Sequence, residues 1–398
     1  MKPKRCYREA LGAATLLLAM ASGCGDGKDT TYVESFDPER TPAAALPGTS
    51  SPLRPLPVAT SPSDVSENPA GSLPLSGEAA SVGVAPEPCT SFQVLGPYPG
   101  HSSAAARGIS GDGRWAIGRS RGEGTDERAV LWDLETGSVS ALELLPGGTT
   151  GVPNAISRDG RVIVGTAKTS DGRDGAVMWT DRAPPELLTQ GQAFAVSADG
   201  AVTTGYTTES GYREAFRWSR SDGLTSLGEI DGAPLARGYA VNADGSAIGG
   251  DLYTSEPDVY RAVRWTAQAG LELLGGPAGA DQSKAAAISA DGAVVFGLRS
   301  DGLQGAVFRW TVSTGMQSIV PARDTIESAP SANASGDTVV GRSYGQSFVW
   351  DGRTGKYELV TDRLGGIVPA DWDLSTASGV SDDGRTVVGV GVSASYPL

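Results

Sequence analysis

The fold is decided by the stretch Ile156-Ser157-Arg158-Asp159-Gly160-Arg161-Val162-Ile163-Val164-Gly165. It consists of an apolar lead-in, Ser or Asn, any residue, Asp-Gly, and then an apolar run that ends in Gly. Asp-Gly supplies the positive φ values that a tight turn needs, and β-branched runs on both sides favour strands. Each copy of this pattern is therefore predicted to form a β-hairpin.

The pattern recurs at nearly constant spacing along the chain. The turn glycines lie 47, 40, 45, 47, 44 and 48 residues apart, which is typical of a repeat protein. The copies begin at Ile109, Ile156, Val196, Val241, Ile288 and Val380, and a degenerate copy is Asn333-Ala334-Ser335-Gly336.

Two more predicted strands follow each hairpin, and the first of them ends in Trp. The constant place of this Trp in the repeat favours packing between repeats over ligand binding. Four strands in about 45 residues is the size of a β-propeller blade. The fold is therefore predicted to be an all-β propeller. The six tryptophans are Trp132, Trp179, Trp218, Trp265, Trp310 and Trp350.

The two ends of the repeat region complement each other. The last repeat, residues 376–398, contains the hairpin but no Trp strand, and residues 91–96 have the pattern of an isolated fourth strand. Joining them would complete a blade and cover its open edges. This predicts seven four-stranded blades closed by both termini, and a six-bladed ring is the alternative.

The first 23 residues have the pattern of an export signal. Four basic residues precede a short apolar run, residues 10–21. Ala21-Ser22-Gly23-Cys24 then resembles a lipobox, which predicts that residues 1–23 are removed and that Cys24 carries a lipid. Such a protein is anchored in the cell envelope, at the outer membrane or cell surface. The alternative is cleavage at Ala21, which would release a soluble secreted protein.

Residues 24–88 differ in composition from the rest of the chain. They contain eleven prolines and few aromatic residues, so they bury too little apolar surface to offset the cost of ordering. A disordered stalk is therefore predicted between the lipidated Cys24 and a propeller domain spanning residues 89–398.

The charge of the chain limits its partners. The net charge is −14, and removing residues 1–23 leaves 28 basic against 45 acidic residues, a net charge of −17. Such a surface repels phosphate backbones and anionic lipids. We therefore expect no nucleic-acid partner, and membrane contact only through the lipid anchor.

Motifs for catalysis and cofactors are weak. The single histidine, His101, makes a Ser-His-Asp triad or a His-rich metal site an unfavourable interpretation. The Asp-Gly turns lack the alternating aspartates of a calcium loop. We assign no catalytic residue, no metal and no cofactor from the sequence.

The candidate ligand-binding residues lie between the second and third predicted strands, where the repeats differ most. These connections are expected on one face of the ring, and they combine tyrosine with mixed charge, the composition of a recognition surface. The candidates are Tyr206, Glu209, Tyr212, Tyr253, Asp258, Tyr260 and Tyr344.

Several motifs together resemble the HAF-repeat family of bacterial extracellular proteins. They are the Ser-x-Asp-Gly hairpin, the apolar run to Gly, Ala215-Phe216-Arg217-Trp218, and the ending from Gly223 to Gly228. The resemblance covers residues 90–398 and implies an exported repeat protein with a propeller fold. Where the family has its namesake His, this chain has Glu214 or Arg261, and no catalytic residue is carried over.

These observations favour a binding module for a protein or glycan partner, displayed on the cell surface or in the periplasm. A hydrolase or lyase acting on polysaccharide is the alternative, because a carboxylate pair such as Glu209 and Asp258 could act without histidine. Two carboxylates about 5–9 Å apart in a cleft would favour the enzyme.

Overall fold

A computed structural model describes residues 15–20, 91–122, 127–230, 233–255, 258–275, 282–300, 305–322 and 330–393. Within these ranges the chain forms sheets that are antiparallel except at one strand, with one short helix, so the predicted all-β class is confirmed. Cys24 and the predicted stalk up to residue 88 lie outside the described residues.

Strands are numbered in chain order. The first two belong to the last sheet of the chain: β1 (Thr15–Met20) and β2 (Ser91–Leu95). The next four pair in sequence order: β3 (Ser103–Ile109), β4 (Trp115–Arg121), β5 (Glu127–Asp133) and β6 (Ser138–Ala141).

One long strand joins the next two four-stranded units. The first part of β10 pairs with β9 and its second part pairs with β11, so it ends one unit and begins the next. The strands are β7 (Gly151–Ile156), β8 (Val162–Lys168), β9 (Asp174–Thr180), β10 (Glu186–Val196), β11 (Val202–Thr207), β12 (Glu214–Ser219) and β13 (Gly223–Ser226).

The remaining sheets repeat the same order. The first has a short extra strand, β14 (Glu229–Ile230), before β15 (Ala233–Val241), β16 (Ala247–Ser255), β17 (Asp258–Thr266) and β18 (Gly270–Leu273). The next contains β19 (Gln282–Ile288), β20 (Val295–Ser300), β21 (Gly305–Thr311) and β22 (Gly315–Ala322). Then come β23 (Ser331–Ala332), β24 (Thr338–Ser343), β25 (Gln346–Asp351), β26 (Lys356–Leu359), the helix α1 (Val360–Leu364), β27 (Trp372–Val380) and β28 (Thr386–Ser393).

The strands that begin the units surround a common axis. We call them the first strands: β3, β7, the second part of β10, β15, β19, β23 and β27. Each contacts the first strand of the next unit, and β27 contacts β3. The sheets therefore follow one another in a cyclic, β-propeller-like arrangement.

The five Ser-x-Asp-Gly turns are held by the same hydrogen bonds, and in the other two turns Asn242 and Asn333 take the place of the serine. In one of them Val162 N–H donates to Ser157 Oγ over 3.0 Å, and that hydroxyl donates to Asp159 Oδ1 over 2.8 Å. Gly160 has a φ of 74°, so the expected positive φ is confirmed for the glycine. The expected positive φ is wrong for Asp159. The Asp159 carboxylate instead accepts a hydrogen bond from the Arg161 N–H within the turn.

A belt of backbone hydrogen bonds joins successive turns. The residue between Ser or Asn and Asp donates its N–H to the carbonyl of the equivalent residue in the next turn. The links Arg158 to Ala198, Ala198 to Ala243, Ala243 to Ala290 and Ala290 to Ala334 measure 2.8–3.2 Å. Asp112 donates to Arg158, and Asp382 donates to Gly111. The last repeat is thereby bonded to the first.

An ion pair between an exposed arginine and a half-buried aspartate lies at this last junction. Arg158 Nε lies 3.3 Å from Asp382 Oδ2, and the pair passes over Gly111. A Cβ added at Gly111 would lie 2.5 Å from that carboxylate oxygen. Burial raises the pKa of Asp382, although Arg158 acts in the opposite direction. The junction therefore depends on glycine at position 111.

The sheet that contains both ends has the order β2-β1-β28-β27. β2 lies at its outer edge, in the place of a fourth strand. The third place is occupied by β1, which runs parallel to both β28 and β2. Third strands elsewhere run antiparallel to the second strand, as β5 does to β4. Part of the predicted leader thus occupies this sheet, which the sequence pattern did not indicate.

The repeated tryptophans pack between neighbouring sheets, as predicted. Trp179 belongs to a buried cluster with Ile117 and Leu131 of the preceding unit, and its Nε1 donates to Glu143 O over 2.8 Å. Trp132 Nε1 donates to the carbonyl of Gly96 beside β2. Each of these two indoles therefore joins its own sheet to the one before it.

The turn aspartates make stability depend on pH. Hydrogen bonds from the Ser289 hydroxyl and the Ala293 N–H lower the pKa of Asp291. A lowered folded-state pKa stabilises the fold above the ordinary aspartate pKa, and this stabilisation is lost as pH falls. We expect Asp291→Asn to lower the melting temperature by a few degrees at pH 7. The difference should shrink steadily below about pH 4.

The control for this measurement is Asp362→Asn, which changes an exposed aspartate outside the repeated turns. Thermal unfolding followed by circular dichroism from pH 3 to pH 8 compares the two variants with the parent. A loss of stability in Asp291→Asn that is equal at pH 3 and pH 7 would contradict the proposed role of the carboxylate.

Candidate ligand-binding site in the ring of first strands

On six of the described second strands a glycine lies against the backbone of the first strand. A Cβ added at Gly165 would lie 2.1 Å from the Val152 carbonyl oxygen, a distance that real Cβ atoms essentially never show. The other glycines of this set also face a first-strand carbonyl oxygen, at 1.9–2.1 Å. We call the set the closing glycines: Gly118, Gly165, Gly205, Gly250, Gly297 and Gly389.

The first strand bulges opposite each closing glycine. In the first of these pairs Ala106 lies opposite Gly118 and Gly108 lies opposite Ile117, so the register skips Arg107. A β-bulge bends the strand and re-aims the extra side chain. The skipped residues, which we call the bulge residues, are Arg107, Asn154, Phe194, Tyr239, Ala286 and Ser378.

The bulge residues differ from repeat to repeat, whereas their neighbours are small. Phe194 lies between Ala193 and Ala195, and Tyr239 lies between Gly238 and Ala240. Small neighbours let adjacent first strands approach one another. The repeat thus keeps a constant scaffold and varies one side chain at its inner edge.

Neighbouring bulge residues reach each other or the next strand around the axis. Asn154 Nδ2 donates to the Ala193 carbonyl over 2.8 Å. The rings of Phe194 and Tyr239 stack with centroids 5.1 Å apart and an interplanar angle of 27°. The side chains therefore form one continuous lining across at least three units.

Cations join this lining to form a larger cluster. Arg237 Nη1 donates to Tyr239 Oη over 2.7 Å, and its guanidinium lies 5.5 Å from the Tyr260 ring centroid. Lys284 Nζ lies 5.5 Å from the Tyr239 centroid, and Phe194 also contacts Tyr206. We define the aromatic–cation cluster as Phe194, Tyr206, Arg237, Tyr239, Tyr260 and Lys284.

Burial and charge determine the protonation states in the cluster. Burial acts to lower the pKa of Arg237, but Tyr239 and the carboxylate of Asp251 outweigh it and raise that pKa. Asp251 is only 2% exposed, with Oδ2 3.9 Å from Arg237 Nη1. Burial raises the pKa of Tyr206. At neutral pH Arg237 is therefore a permanent cation, and the Tyr206 phenol is neutral.

The sequence candidates divide into two groups. Tyr206 and Tyr260 belong to the cluster, and the Tyr253 ring lies 5.1 Å from that of Tyr260. The expected loop position is wrong for these three tyrosines, because β11, β16 and β17 extend through them. β16 and β17 pair as far as Ser255 and Asp258.

The other candidates are not brought to the cluster. Glu209 accepts a hydrogen bond from Thr189 Oγ1 over 2.8 Å. Tyr212 and Tyr344 are exposed on separate hairpins of different sheets. Asp258 begins β17, and its side chain lies outside the described residues.

Sequence analysis missed Arg107, Phe194, Arg237, Tyr239 and Lys284. A signal for Arg107, Phe194 and Tyr239 was present, because each is the middle residue of a small-x-small triplet that ends just before the turn lead-in of its hairpin. In the parts of the chain that the structure describes, no three His, Cys, Asp or Glu residues are grouped as for a metal ion. No helix there is long and apolar enough to cross a membrane.

Replacing a closing glycine should strain the fold strongly. We expect Gly165→Ala to lower the free energy of unfolding by about 3 kcal/mol, because the added methyl group meets a backbone oxygen that cannot move independently. Urea unfolding measures the change. Gly96→Ala is the control, since nothing lies within 4 Å of its Cβ position. Equal effects of the two substitutions would rule out the close contact.

The stack between Phe194 and Tyr239 should be energetically coupled. A double-mutant cycle with Phe194→Ala and Tyr239→Ala is expected to give a coupling energy of about 1 kcal/mol, as aromatic pairs do. Additive single effects would show that the two bulge residues do not interact.

Comparisons with known proteins give only a partial likeness of fold. No family model matches the chain, and no curated protein matches it. TolB from Acinetobacter baumannii is 20% identical with a TM-score of 0.42, over 55% of this chain and 54% of TolB. A prolyl endopeptidase structure has 17% identity and a TM-score of 0.46 over 63% and 41% of the two chains. Hydrazine synthase from Kuenenia stuttgartiensis has 11% identity and a TM-score of 0.44, over 80% and 100%. The chain thus spans about half the length of the TolB chain it matches.

Proposed function

We propose that this protein is an exported binding module that takes a protein or glycan partner at the ring of first strands. The observation that carries the proposal is the lining of bulge residues, in which one side chain varies on a constant scaffold. Variation at a single inward position of every repeat is typical of a recognition surface rather than of a structural core.

The proposal includes a ring of seven four-stranded blades closed by both termini. Its support is the cycle of contacts among first strands, together with the hydrogen bond from the last turn to the first. Membership of the HAF-repeat family belongs to the same proposal, and it rests on the repeated motifs.

We also propose a cellular location for the protein. Removal of residues 1–23 would take away β1 and leave Cys24 to carry the lipid, with residues 24–88 as a stalk. The domain would then be displayed on the outer membrane or cell surface. The binding site is formed by β3 to β27, so it does not include the leader.

Fatty-acid labelling tests the anchor. We expect the full-length chain expressed in a Gram-negative host to incorporate labelled palmitate and to sediment with membranes. Cys24→Ala should abolish both, whereas Cys89→Ala, the control, should abolish neither. If the parent chain is instead released into the medium without label, the result would support cleavage at Ala21.

Thermal shift tests the binding site. A ligand held only by the folded state raises the melting temperature by mass action. Residues 24–398 with Cys24→Ser are screened against glycans and envelope proteins. We expect Tyr239→Ala to remove the shift and Tyr344→Ala, which changes an exposed hairpin tyrosine, to retain it.

The opposite pattern would place the site on the outer hairpins and overturn the proposal. Turnover of a bound glycan in the same samples would favour the polysaccharide hydrolase or lyase instead.

A further inference from the structure

One strand position in the last sheet loses its occupant in the proposed mature protein. β1 lies between β28 and β2 and pairs with both. Removal of residues 1–23 takes β1 away, and every described strand from β2 onward already has its own position in a sheet. We call the position between β28 and β2 the third place, and the two strands its walls.

The outer wall, β2, is held by contacts that do not involve β1. Leu95 is 2% exposed and packs in a cluster with Trp132 of β5. Trp132 Nε1 also donates to the Gly96 carbonyl over 2.8 Å. The Phe92 ring lies 5.9 Å from the ring of Trp372 at the start of β27. These contacts keep β2 in position after β1 is removed, so the third place keeps both walls.

The third place has the width of one extended chain. Adjacent strands lie about 4.8 Å apart, so the two walls lie roughly 9.6 Å apart. The register accommodates five residues, since Thr15 pairs with Ser91 and Ala19 pairs with Leu95. A segment that adds a strand to a sheet binds through main-chain hydrogen bonds, and here it bonds to a wall on each side. Left empty, the two facing edges would favour aggregation.

A strand in the third place is buried on both faces. In the first of the other sheets the third strand, β5, is buried at every residue from 129 to 133. In the last sheet Val387 packs with Val349 of the preceding sheet. Its neighbour Val388 packs with Val130 of β5. A strand buried on both faces needs a continuous apolar run and not an alternating pattern.

The leader meets this requirement only in part. Its sequence Leu16-Leu17-Leu18-Ala19 is a continuous apolar run, but β1 runs parallel to both walls. Third strands in the other sheets run antiparallel to the second strand. Parallel pairing is slightly less stable per residue. An antiparallel strand with a similar apolar run therefore fits the third place better than the leader does.

We propose that the mature protein binds an extended segment of a partner protein in the third place, antiparallel to both walls. The segment presents a continuous run of apolar residues. The leader occupies this site in the precursor, and its removal opens the site. This inference rests on the proposed removal of residues 1–23, and it adds a second binding site to the proposed one at the ring of first strands.

A labelled peptide with the sequence of β5, residues 127–133, serves as the probe, because its charged ends keep it soluble. The mature form is residues 24–398 with Cys24→Ser. The precursor is the full-length chain with Cys24→Ser, expressed in the cytoplasm so that it keeps its leader. By fluorescence anisotropy we expect the mature form to bind the peptide about tenfold more tightly, because β1 occupies the site in the precursor. A control peptide with Val130→Pro should not bind, since proline interrupts a strand that is paired on both sides.

A leader variant tests the same competition in the full-length chain. Leu17→Pro interrupts β1 and should raise the affinity for the peptide toward that of the mature form. Leu17→Val keeps the backbone N–H and is the matched control, which should behave like the precursor. Circular dichroism and melting temperature establish that each protein is folded.

Amide hydrogen exchange locates the bound peptide. Among the described strands β2 pairs only with β1, so its amides should exchange quickly in the mature form and slowly once the peptide is bound. The control is β6, an outer strand that keeps its partner β5 and should not change.

Protection of β2 in the mature form without peptide would show that another part of the mature chain fills the third place, and would overturn the proposal. Equal binding of the Val130→Pro peptide, or binding that leaves β2 unprotected, would also overturn it. Absence of peptide binding would overturn it too, and would leave the proposed ring site intact, because Tyr239→Ala tests that site separately. Peptide binding that persists in Tyr239→Ala would support the third place as a site of its own.

Discussion

The close approach of each closing glycine to a first-strand carbonyl is the contact on which the rest of the structure depends. It explains why six of the described apolar runs end in glycine, since a Cβ there would lie about 2 Å from backbone oxygen, as at Gly205 and Gly297. The approach accompanies a bulge in the first strand, and the bulge accommodates one extra residue. Small residues on either side of that position let the first strands pack around the axis and let the turns bond to one another in a belt.

The same constraint separates the positions that maintain the fold from the bulge positions, which vary. The turn and the Trp recur because they join neighbouring sheets, and the closing glycine recurs because it lets two strands of one sheet approach closely. The bulge residue lies at the inner edge and differs from repeat to repeat. Position 286 is alanine where position 239 is tyrosine, and the strand bulges at both positions. The acidic residues are distributed in the same way, because nearly all of them lie outside the first strands.

Much of the fold could be predicted from local patterns. The Asp-Gly turns, the strand after each turn, the buried Trp and the outer position of β2 all follow from short stretches of sequence with a clear physical meaning. The predictions failed where the answer depends on contacts between distant strands. The positions of Tyr206 and Tyr260 depend on how far hairpins continue, which pairing decides. The place of β1 depends on an open position in a sheet built from both ends of the chain. The bulge residues were missed because the repeated glycine indicated a strand end and not a close backbone contact.

Thiol labelling at two adjacent alanines tests the central claim most directly. Ala286 is a bulge residue, whereas Ala285 beside it on β19 is 0% exposed. Each is replaced by cysteine in residues 24–398 with Cys24→Ser and Cys89→Ser, and the folded proteins are treated with a small maleimide. The bulge predicts that Ala286→Cys reacts readily under native conditions and that Ala285→Cys reacts only after unfolding. Equal protection of both, or faster labelling of Ala285→Cys, would show that the first strands do not bulge toward the axis.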